Sequence, residues 1–466
     1  MPGNPLPTDG VVGLLTSDQE RSLKAFWAEF LQLVDDAPVE GSGAKSGNDA
    51  PPPDKPGKDI PKDDAAKERL RAEQEMADAK AAFVEYGSRR FMESFWRFVA
   101  MDDPDGIMLR FLRARKWSTS AGVAMLAACI KWRMGSDVEQ ICEKGEEGMQ
   151  NAEGFIKQME IGKTYTQGTD HVGRPVIYIH VAKHRTYDQS PKALEDFVLF
   201  QMESVRCLFA PPVDKVVILF DMTGFGIRNM DWRCILFIVK CLEAYYPESL
   251  NVMLIHNAPW VFQGIWKLLA PMLDPVVRNK IQMTKSTNDL IEHIPKNHLV
   301  KELGGSSDWK WQYPPVVPGE NAPQKFVQIL HLPLLQASHL TSLVYVRLSR
   351  DSQGKEKALA ERQKLIEEYS AVTREWSKSS DPEVTKKRDI LVDRMRAQYH
   401  ELDPFIRGRG AYHRNGNIVG NGLVVWNYPA GNGEKGEGEW EVRGYETSRE
   451  ECLLRAKLRD NELAKA

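Results

Sequence analysis

Four short apolar runs, separated by stretches of helical length, place the strongest constraint on how this chain can fold. They are PVIYI (175–179), VVILF (216–220), VMLI (252–255) and IQM (281–283). The longer runs are apolar on consecutive residues, which is typical of strands covered on both faces in a parallel sheet. Helical stretches between the runs supply the crossovers that parallel strands need. The sequence therefore predicts an α/β domain from about 149 to 310.

The amino-terminal residues predict one helix followed by a linker. Apolar residues from Leu23 to Val34 recur at helical spacing, so we expect an amphipathic helix within residues 1–40. Residues 41–64 are mostly Gly, Ser, Pro, Lys and Asp. Such a composition cannot offset its ordering entropy, and we expect a disordered linker there.

A helical subdomain is predicted between the linker and the α/β domain, over residues 65–148. A long helix is expected up to Val99, before Pro104. Two shorter helices follow at about 104–116 and 119–134, and they share an apolar stripe. These helices are expected to form one small bundle.

Residues 311–466 predict an α+β extension at the carboxyl end of the chain. A charged helix is expected from about 354 to 402. The Asn-Gly pairs that begin at Asn415 and Asn421 are typical of turns, and the apolar run 423–426 lies beside them. We expect a short β segment at that point.

An unusual stretch, WVFQGIWKLLAPML (260–273), follows the third apolar run directly. On a helix its apolar residues surround nearly the whole circumference, whereas a surface helix normally has a single stripe. It is too short to cross a bilayer. It is therefore either a buried core helix or a movable gate with a cavity on one face and a lipid surface on the other. The residues assigned to the gate helix are Trp260, Phe262, Ile265, Trp266, Leu269 and Leu273.

Composition argues against several other classes of protein. The net charge of -3 provides no basic field for nucleic acid. No run approaches the roughly 18 apolar residues of a membrane span, and the amino terminus lacks a basic segment followed by an apolar one. The six cysteines have no CxxC spacing and are expected to be reduced, buried thiols. We therefore expect a cytoplasmic protein. We also expect it to be a monomer that associates peripherally with membranes.

No catalytic, metal or cofactor site is predicted. The GxG pattern at 224–226 is a weak sign of dinucleotide binding, because Asn229 stands at the third glycine position. His171 and His256 lack nucleophile or metal partners at recognisable spacing, so we interpret them as a loop residue and a structural residue.

Seven segments stand out in sequence order: LRFLRARKW (109–117), DHVGRPV (170–176), FDMTGF (220–225), YPE (246–248), IHNAP (255–259), LDPV (273–276) and KELGG (301–305). Together they resemble the CRAL-TRIO lipid-binding family, and the subgroup they are most similar to is the fungal phosphatidylinositol transfer proteins. The resemblance implies a helical subdomain packed on a mixed, largely parallel sheet, with helices that enclose a lipid cavity. It implies a lipid carrier rather than an enzyme.

The same resemblance implies a lipid headgroup site. Lys116, Glu248 and Lys280 fall on positions where the family holds the inositol headgroup, and cationic donors with a carboxylate suit a phosphodiester and its hydroxyls. Ser249 stands where the family has arginine, and Val277 where it has threonine. Arg278, beside Val277, is the candidate substitute for a missing donor.

The cavity lining implied by the resemblance is apolar. The predicted lining residues are Ile177, Ile179, Val216, Ile218, Phe220, Leu254 and His256. Three of them, Ile177, Val216 and Ile218, replace hydroxyl residues of the family's choline-lipid site, where only Thr166 keeps a hydroxyl. A phosphate without donors is costly to desolvate, so this lining argues against a choline phospholipid.

Three functions follow as hypotheses. The first is transfer or presentation of phosphatidylinositol between membranes, with transient contact to the membrane surface. The second is carriage of a neutral isoprenoid or sterol-type lipid, for example squalene. The third is a membrane-sensing scaffold that acts through its carboxyl-terminal extension.

Overall fold

A five-stranded mixed sheet forms the centre of the structure. This computed structural model describes residues 6, 9–43, 64–321, 352–429 and 439–465. The strands follow each other in space as in sequence: β1 (Thr164–Thr169), β2 (Pro175–His180), β3 (Val216–Asp221), β4 (Leu250–His256) and β5 (Ile281–Thr284). β1 is antiparallel to β2, and β2 to β5 are parallel. The predicted α/β class is confirmed, with each apolar run lying in a parallel strand.

The sheet has two apolar faces, because successive side chains of a strand point to opposite sides. We call outer the face made by Tyr165, Val176, Tyr178, Val217, Leu219, Val252 and Leu254. It packs against α11 (Thr287–Ile291) and residues up to Trp311. We call inner the face made by Ile177, Ile179, Val216, Ile218, Phe220 and Met253.

Helices on the inner side connect the parallel strands. They are α7 (Pro191–Arg206), α8 (Trp232–Lys240), α9 (Phe262–Leu269) and α10 (Pro275–Asn279). A wide turn of π-helix, Cys241–Tyr245, continues α8. A short helix, α6 (Phe155–Glu160), precedes β1.

The described residues of the amino-terminal region form five helices. They are α1 (Ser17–Asp35), α2 (Asp64–Val99), α3 (Pro104–Ala114), α4 (Thr119–Gly135) and α5 (Val138–Gly148). Thr16 caps α1 through a capping box with Gln19. The predicted first helix, the long helix and the two shorter ones are confirmed. Residues 44–63 of the predicted linker lie outside the described residues.

The long helix α2 bends at Gly87, where the backbone adopts φ 77°. A β-carbon at this position would lie 2.4 Å from the carbonyl oxygen of Val39. Glycine therefore lets α2 and the segment that follows α1 approach each other closely.

The carboxyl-terminal extension contains helices and a second sheet. Within its described residues, the elements are α12 (Ser352–Trp376), α13 (Pro382–Ile406), α14 (Ala411–Arg414), β6 (Ile418–Gly420), β7 (Leu423–Tyr428), β8 (Glu439–Arg443) and α15 (Arg449–Leu463). The prediction of one helix over 354–402 is wrong. The first helix ends at Trp376, and Asp381 caps a new helix that has proline at its first position. The β segment beside Asn421 is confirmed, and it forms an antiparallel sheet.

The extension completes the core of the amino-terminal helices. Tyr369, Trp376 and Leu391 belong to the same buried cluster as Trp27 and Phe95. At the sheet, the Tyr412 hydroxyl accepts a hydrogen bond from the backbone N–H of Thr166 in β1 at 2.8 Å. The extension therefore packs against the amino-terminal helices and makes a buried hydrogen bond to the edge strand of the sheet.

Within the described residues, no helix combines the length and the apolar composition of a bilayer span. All six cysteines are free thiols. Five of them are buried and Cys234 is partly exposed, in keeping with the predicted reduced state.

Candidate lipid-binding site

The two faces of the sheet differ in how completely they are covered. On the outer face, Tyr178, Val217 and Leu219 are fully buried. On the inner face, Val216, Ile218 and Met253 are buried, but Ile177, Ile179 and Phe220 are only half-buried. These three lie on interior strands of a sheet that has helices on both sides. Close packing normally leaves few voids in a protein interior, so side chains at such positions would be expected to be sealed. Solvent-accessible space therefore adjoins the inner face.

Helix α8 borders the same space. It is strongly apolar in sequence, WRCILFIVK, yet none of its residues is buried. Ile238 contacts the inner-face cluster, while Trp232 and Leu236 are exposed. An apolar helix with no buried residue is the arrangement expected beside a hydrophobic cleft.

The predicted gate segment lies at the carboxyl ends of the parallel strands, directly after β4. Phe262 is buried against Ile255 and Met222, while Ile265 and Trp266 are half-buried at the edge of the same cluster. Ile281 contacts both this cluster and the inner-face cluster. The gate and the inner face therefore form one continuous apolar surface.

The remaining gate residues have different environments. Leu269 and Leu273 are buried, whereas Trp260 lies in the turn before α9 and is 85% exposed. The helix itself ends at Leu269 and continues as a 3-10 turn, Ala270–Met272. The predicted gate helix over 260–273 is thus a turn, a two-turn helix and a second turn.

A hydrogen bond connects the end of the gate to the turn after α8. The Glu243 carboxylate accepts from the backbone N–H of Asp274, with 2.6 Å between Oε1 and N. Burial raises the pKa of Glu243 above its usual value. This contact fixes the position where the gate segment meets α10.

Two of the predicted lining residues lie on the wrong face. Leu254 belongs to the fully buried outer-face cluster. His256, two residues later on β4, is buried too, and its Nδ1 lies 3.0 Å from the Thr284 hydroxyl oxygen. Burial lowers the pKa of His256. Strand alternation places 252, 254 and 256 opposite to Met253 and Ile255, so Leu254 and His256 do not share a face with the other predicted lining residues.

The other five predicted lining residues share the inner face. Ile177, Ile179, Val216, Ile218 and Phe220 belong to one cluster with Val205, Leu242 and Val277. The lining role itself stays a prediction.

The four predicted headgroup residues separate into two groups. Glu248 and Lys280 lie together, with 3.6 Å between the carboxylate Oε2 and the ammonium Nζ. Lys116 is 82% exposed and its ammonium lies 3.8 Å from Glu68 of α2. Arg278 is exposed at the end of α10. The structure brings Glu248 and Lys280 together and leaves Lys116 and Arg278 on the surface.

Glu248 owes its position to a strained turn. Its backbone has φ 58°, in the left-handed region that few residues other than glycine adopt. The next residue, Ser249, donates a hydrogen bond from its hydroxyl to the carbonyl of Tyr246 at 2.5 Å. This turn directs Glu248 toward the amino ends of β3 and β5, which are neighbours of β4 on either side.

Sequence reasoning did not assign three charged residues near this pair to the site. The ammonium of Lys215 lies 3.9 Å from the same Glu248 Oε2, and Arg113 lies 3.6 Å from Asp214. A signal existed, because Asp214 and Lys215 immediately precede a buried strand. The amino ends of parallel strands meet at one edge of a sheet, so charges there come together.

Known proteins resemble this chain over most of its length. Family models of the CRAL/TRIO domain and of the CRAL/TRIO N-terminal domain match residues 159–305 and 67–128. Phosphatidylinositol transfer protein CSR1 of Eremothecium gossypii is 32% identical over 454 residues, which cover 88% of this chain and 98% of that protein.

Two further relatives support the same grouping. A CRAL-TRIO domain-containing protein of Schizosaccharomyces pombe is 34% identical over 70% of this chain and 68% of its own length. The SEC14 cytosolic factor of Kluyveromyces lactis is 29% identical over 47% of this chain and 76% of its own length. The identity to the first two relatives extends well beyond the segments matched by the family models, and the chain belongs to the CRAL-TRIO family.

Proposed function

We propose that this protein is a non-enzymatic carrier that transfers or presents phosphatidylinositol between membranes. The observation that carries the proposal is that Ile177, Ile179 and Phe220 stay half-buried on the inner face of a sheet whose outer face is sealed. An apolar face that helices cover but do not fill suits hydrocarbon chains, since each buried methylene contributes about 0.8 kcal/mol.

The ends of the inner face have the polarity that such a lipid requires. Glu248 and Lys280 lie at the amino ends of the strands, and the gate lies at their carboxyl ends. A strand of six or seven residues spans about 20 Å. A headgroup at one end of the sheet would therefore let the hydrocarbon chains extend along the inner face toward the gate. The names of the relatives, a phosphatidylinositol transfer protein among them, support the same function.

Loading of such a lipid requires contact with a membrane. Trp260, Leu268 and Met272 of the gate segment are exposed, and so are Trp232 and Leu236 of α8. Large exposed apolar side chains are typical of an interaction surface. The carrier is thus expected to work in the cytoplasm and to associate with membranes only during exchange.

Vesicle transfer of labelled phosphatidylinositol tests the proposal. The full-length protein should accelerate transfer, and Lys280→Ala should slow it by tenfold or more, because a hydrogen bond to a charged group contributes roughly 1.5 to 3 kcal/mol. Lys364→Ala on α12, which changes an exposed lysine, is the matched control. A wild-type protein that moves no inositol lipid would refute the proposal.

A neutral lipid is a second candidate, favoured by one observation. Ile177, Val216 and Ile218 of the inner face carry no hydrogen-bonding group, and an isoprenoid or sterol-type lipid needs none. Mass spectrometry of the lipid that co-purifies with the native protein separates the two candidates.

A further inference from the structure

Five charged side chains converge at the amino ends of β3, β4 and β5. They come from α3, from the two residues before β3, from the turn before β4 and from the residue before β5: Arg113, Asp214, Lys215, Glu248 and Lys280. The group contains three cations and two carboxylates, so it carries a net charge of about +1. We call it the strand-edge cluster.

Two lysines of the cluster share one carboxylate oxygen. The ammonium groups of Lys215 and Lys280 lie 3.9 Å and 3.6 Å from Glu248 Oε2. Both distances exceed the 2.7 to 3.2 Å of an N–H···O hydrogen bond. Within the described part of the chain, neither ammonium donates a hydrogen bond to another residue.

The two lysines are nevertheless largely removed from solvent. Their side chains are 18% and 21% exposed. Burial lowers the pKa of Lys215, and Lys280 and Arg113 lower it further, whereas Asp214 and Glu248 raise it. Ion pairs that serve only stability gain most at hydrogen-bonding distance. Here two partly desolvated ammonium groups keep their donors available, which is the arrangement expected at an anion-binding site.

Arg113 holds the other side of the cluster. Its guanidinium donates to the carbonyl of Gly10 at 2.6 Å and lies 3.6 Å from Asp214. It therefore connects the segment before α1 to the residue that precedes Lys215. Through this ion pair with the residue before Lys215, Arg113 acts as a positioning residue rather than as a ligand of the phosphate.

We propose that Lys215 and Lys280 together bind one phosphate group, and that Lys215 thereby selects an anionic polyol headgroup over an uncharged lipid. The inference rests on the proposed carrier function. A phosphodiester oxygen between the two ammonium groups would give each a charge-assisted hydrogen bond. Glu248 then accepts from hydroxyl groups of the polyol, since an ionised carboxylate is an acceptor only. The phosphate chemistry is shared by an inositol lipid and by free inositol phosphate.

The experiment compares Lys215→Met, Lys215→Arg and Lys364→Met in the full-length protein. Each variant is assayed for phosphatidylinositol transfer between vesicles and for uptake of squalene from vesicles. Calorimetry with inositol 1-phosphate, which lacks the diacylglycerol, distinguishes a headgroup bound alone from one bound only as part of the lipid.

Lys215→Met should lower inositide transfer about tenfold and leave squalene uptake and the urea midpoint unchanged. Lys215→Arg should keep a substantial part of the transfer, and Lys364→Met all of it. If Lys215→Met transfers inositide at the wild-type rate while Lys280→Ala does not, the role of Lys215 is overturned and the carrier function still stands. An equal loss of inositide transfer and squalene uptake would also overturn the role of Lys215, because a structural defect affects both lipids.

Discussion

A pair of alanine substitutions tests whether the inner face of the sheet is open for a lipid. Ile179 and Val217 lie on neighbouring strands, but Ile179 is half-buried on the inner face and Val217 is fully buried on the outer face. Both are β-branched, so alanine removes a similar strand preference at each. Ile179→Ala deletes three carbons and Val217→Ala only two.

The burial of the two residues reverses the order expected from these carbon counts. The transfer free energy of two fully buried carbons is about 1.6 kcal/mol, and the enclosed void adds to it, giving about 2 to 3 kcal/mol for Val217→Ala. For Ile179→Ala, three partly exposed carbons give about 1.5 to 2 kcal/mol, and no enclosed void adds to this because open space already adjoins them. In lipid-free protein, the larger deletion should therefore destabilise slightly less, by about 0.5 kcal/mol.

Urea unfolding of the lipid-free full-length proteins measures the comparison. Bound lipid stabilises the folded state that binds it. The increase in the free energy of unfolding on adding lipid should therefore be smaller in Ile179→Ala than in the wild type, and it should be unchanged in Val217→Ala. The reasoning is refuted if Ile179→Ala costs more than Val217→Ala without lipid, because the inner face would then be as tightly filled as the outer face. Equal m-values for the two variants are needed for the comparison.

Two further predictions concern stability. Arg388, buried on α13, pairs with Asp105 of α3, and Arg388→Met should lower the free energy of unfolding by about 3 to 5 kcal/mol because it leaves a buried carboxylate without its partner. The same change at half-exposed Arg394 should cost less than about 1 kcal/mol by urea unfolding, and similar losses would contradict this role of Arg388. Burial lowers the pKa of His413 to about 3, so the unfolded chain gains a proton below pH 6.5 that the folded protein does not. Stability should fall as the pH drops from 7 to 5, and His413→Gln should flatten this fall in the urea midpoint; an unchanged slope would argue against it.

The parallel strands, the helices and the family were accessible from the sequence because each depends on local pattern. Runs such as 216–220 are apolar on every residue, and the seven ordered motifs occupy positions that local chemistry defines. The break between α12 and α13 was also present in the sequence, as Asp381 before Pro382, but the helical composition on both sides concealed it.

Strand β1 was not predicted, because its local sequence carries no strand pattern. Its sequence, TYTQGT, has no apolar run, and its pairing depends on β2 together with the Tyr412 contact from a distant part of the chain. A strand defined by partners so far away in sequence carries little signal of its own.

The same distinction between local pattern and tertiary packing applies to the candidate site. Consecutively apolar strands do not reveal which side chains share a face, and so Leu254 and His256 could not be separated from Ile218 and Phe220 before the sheet was formed. Parallel pairing alone brought Lys215, Glu248 and Lys280 to one edge. Sequence thus determined which elements form, because hydrophobic periodicity and turn chemistry act over a few residues. Tertiary structure decided which face stays open and which charges meet, because both depend on packing between segments remote along the chain.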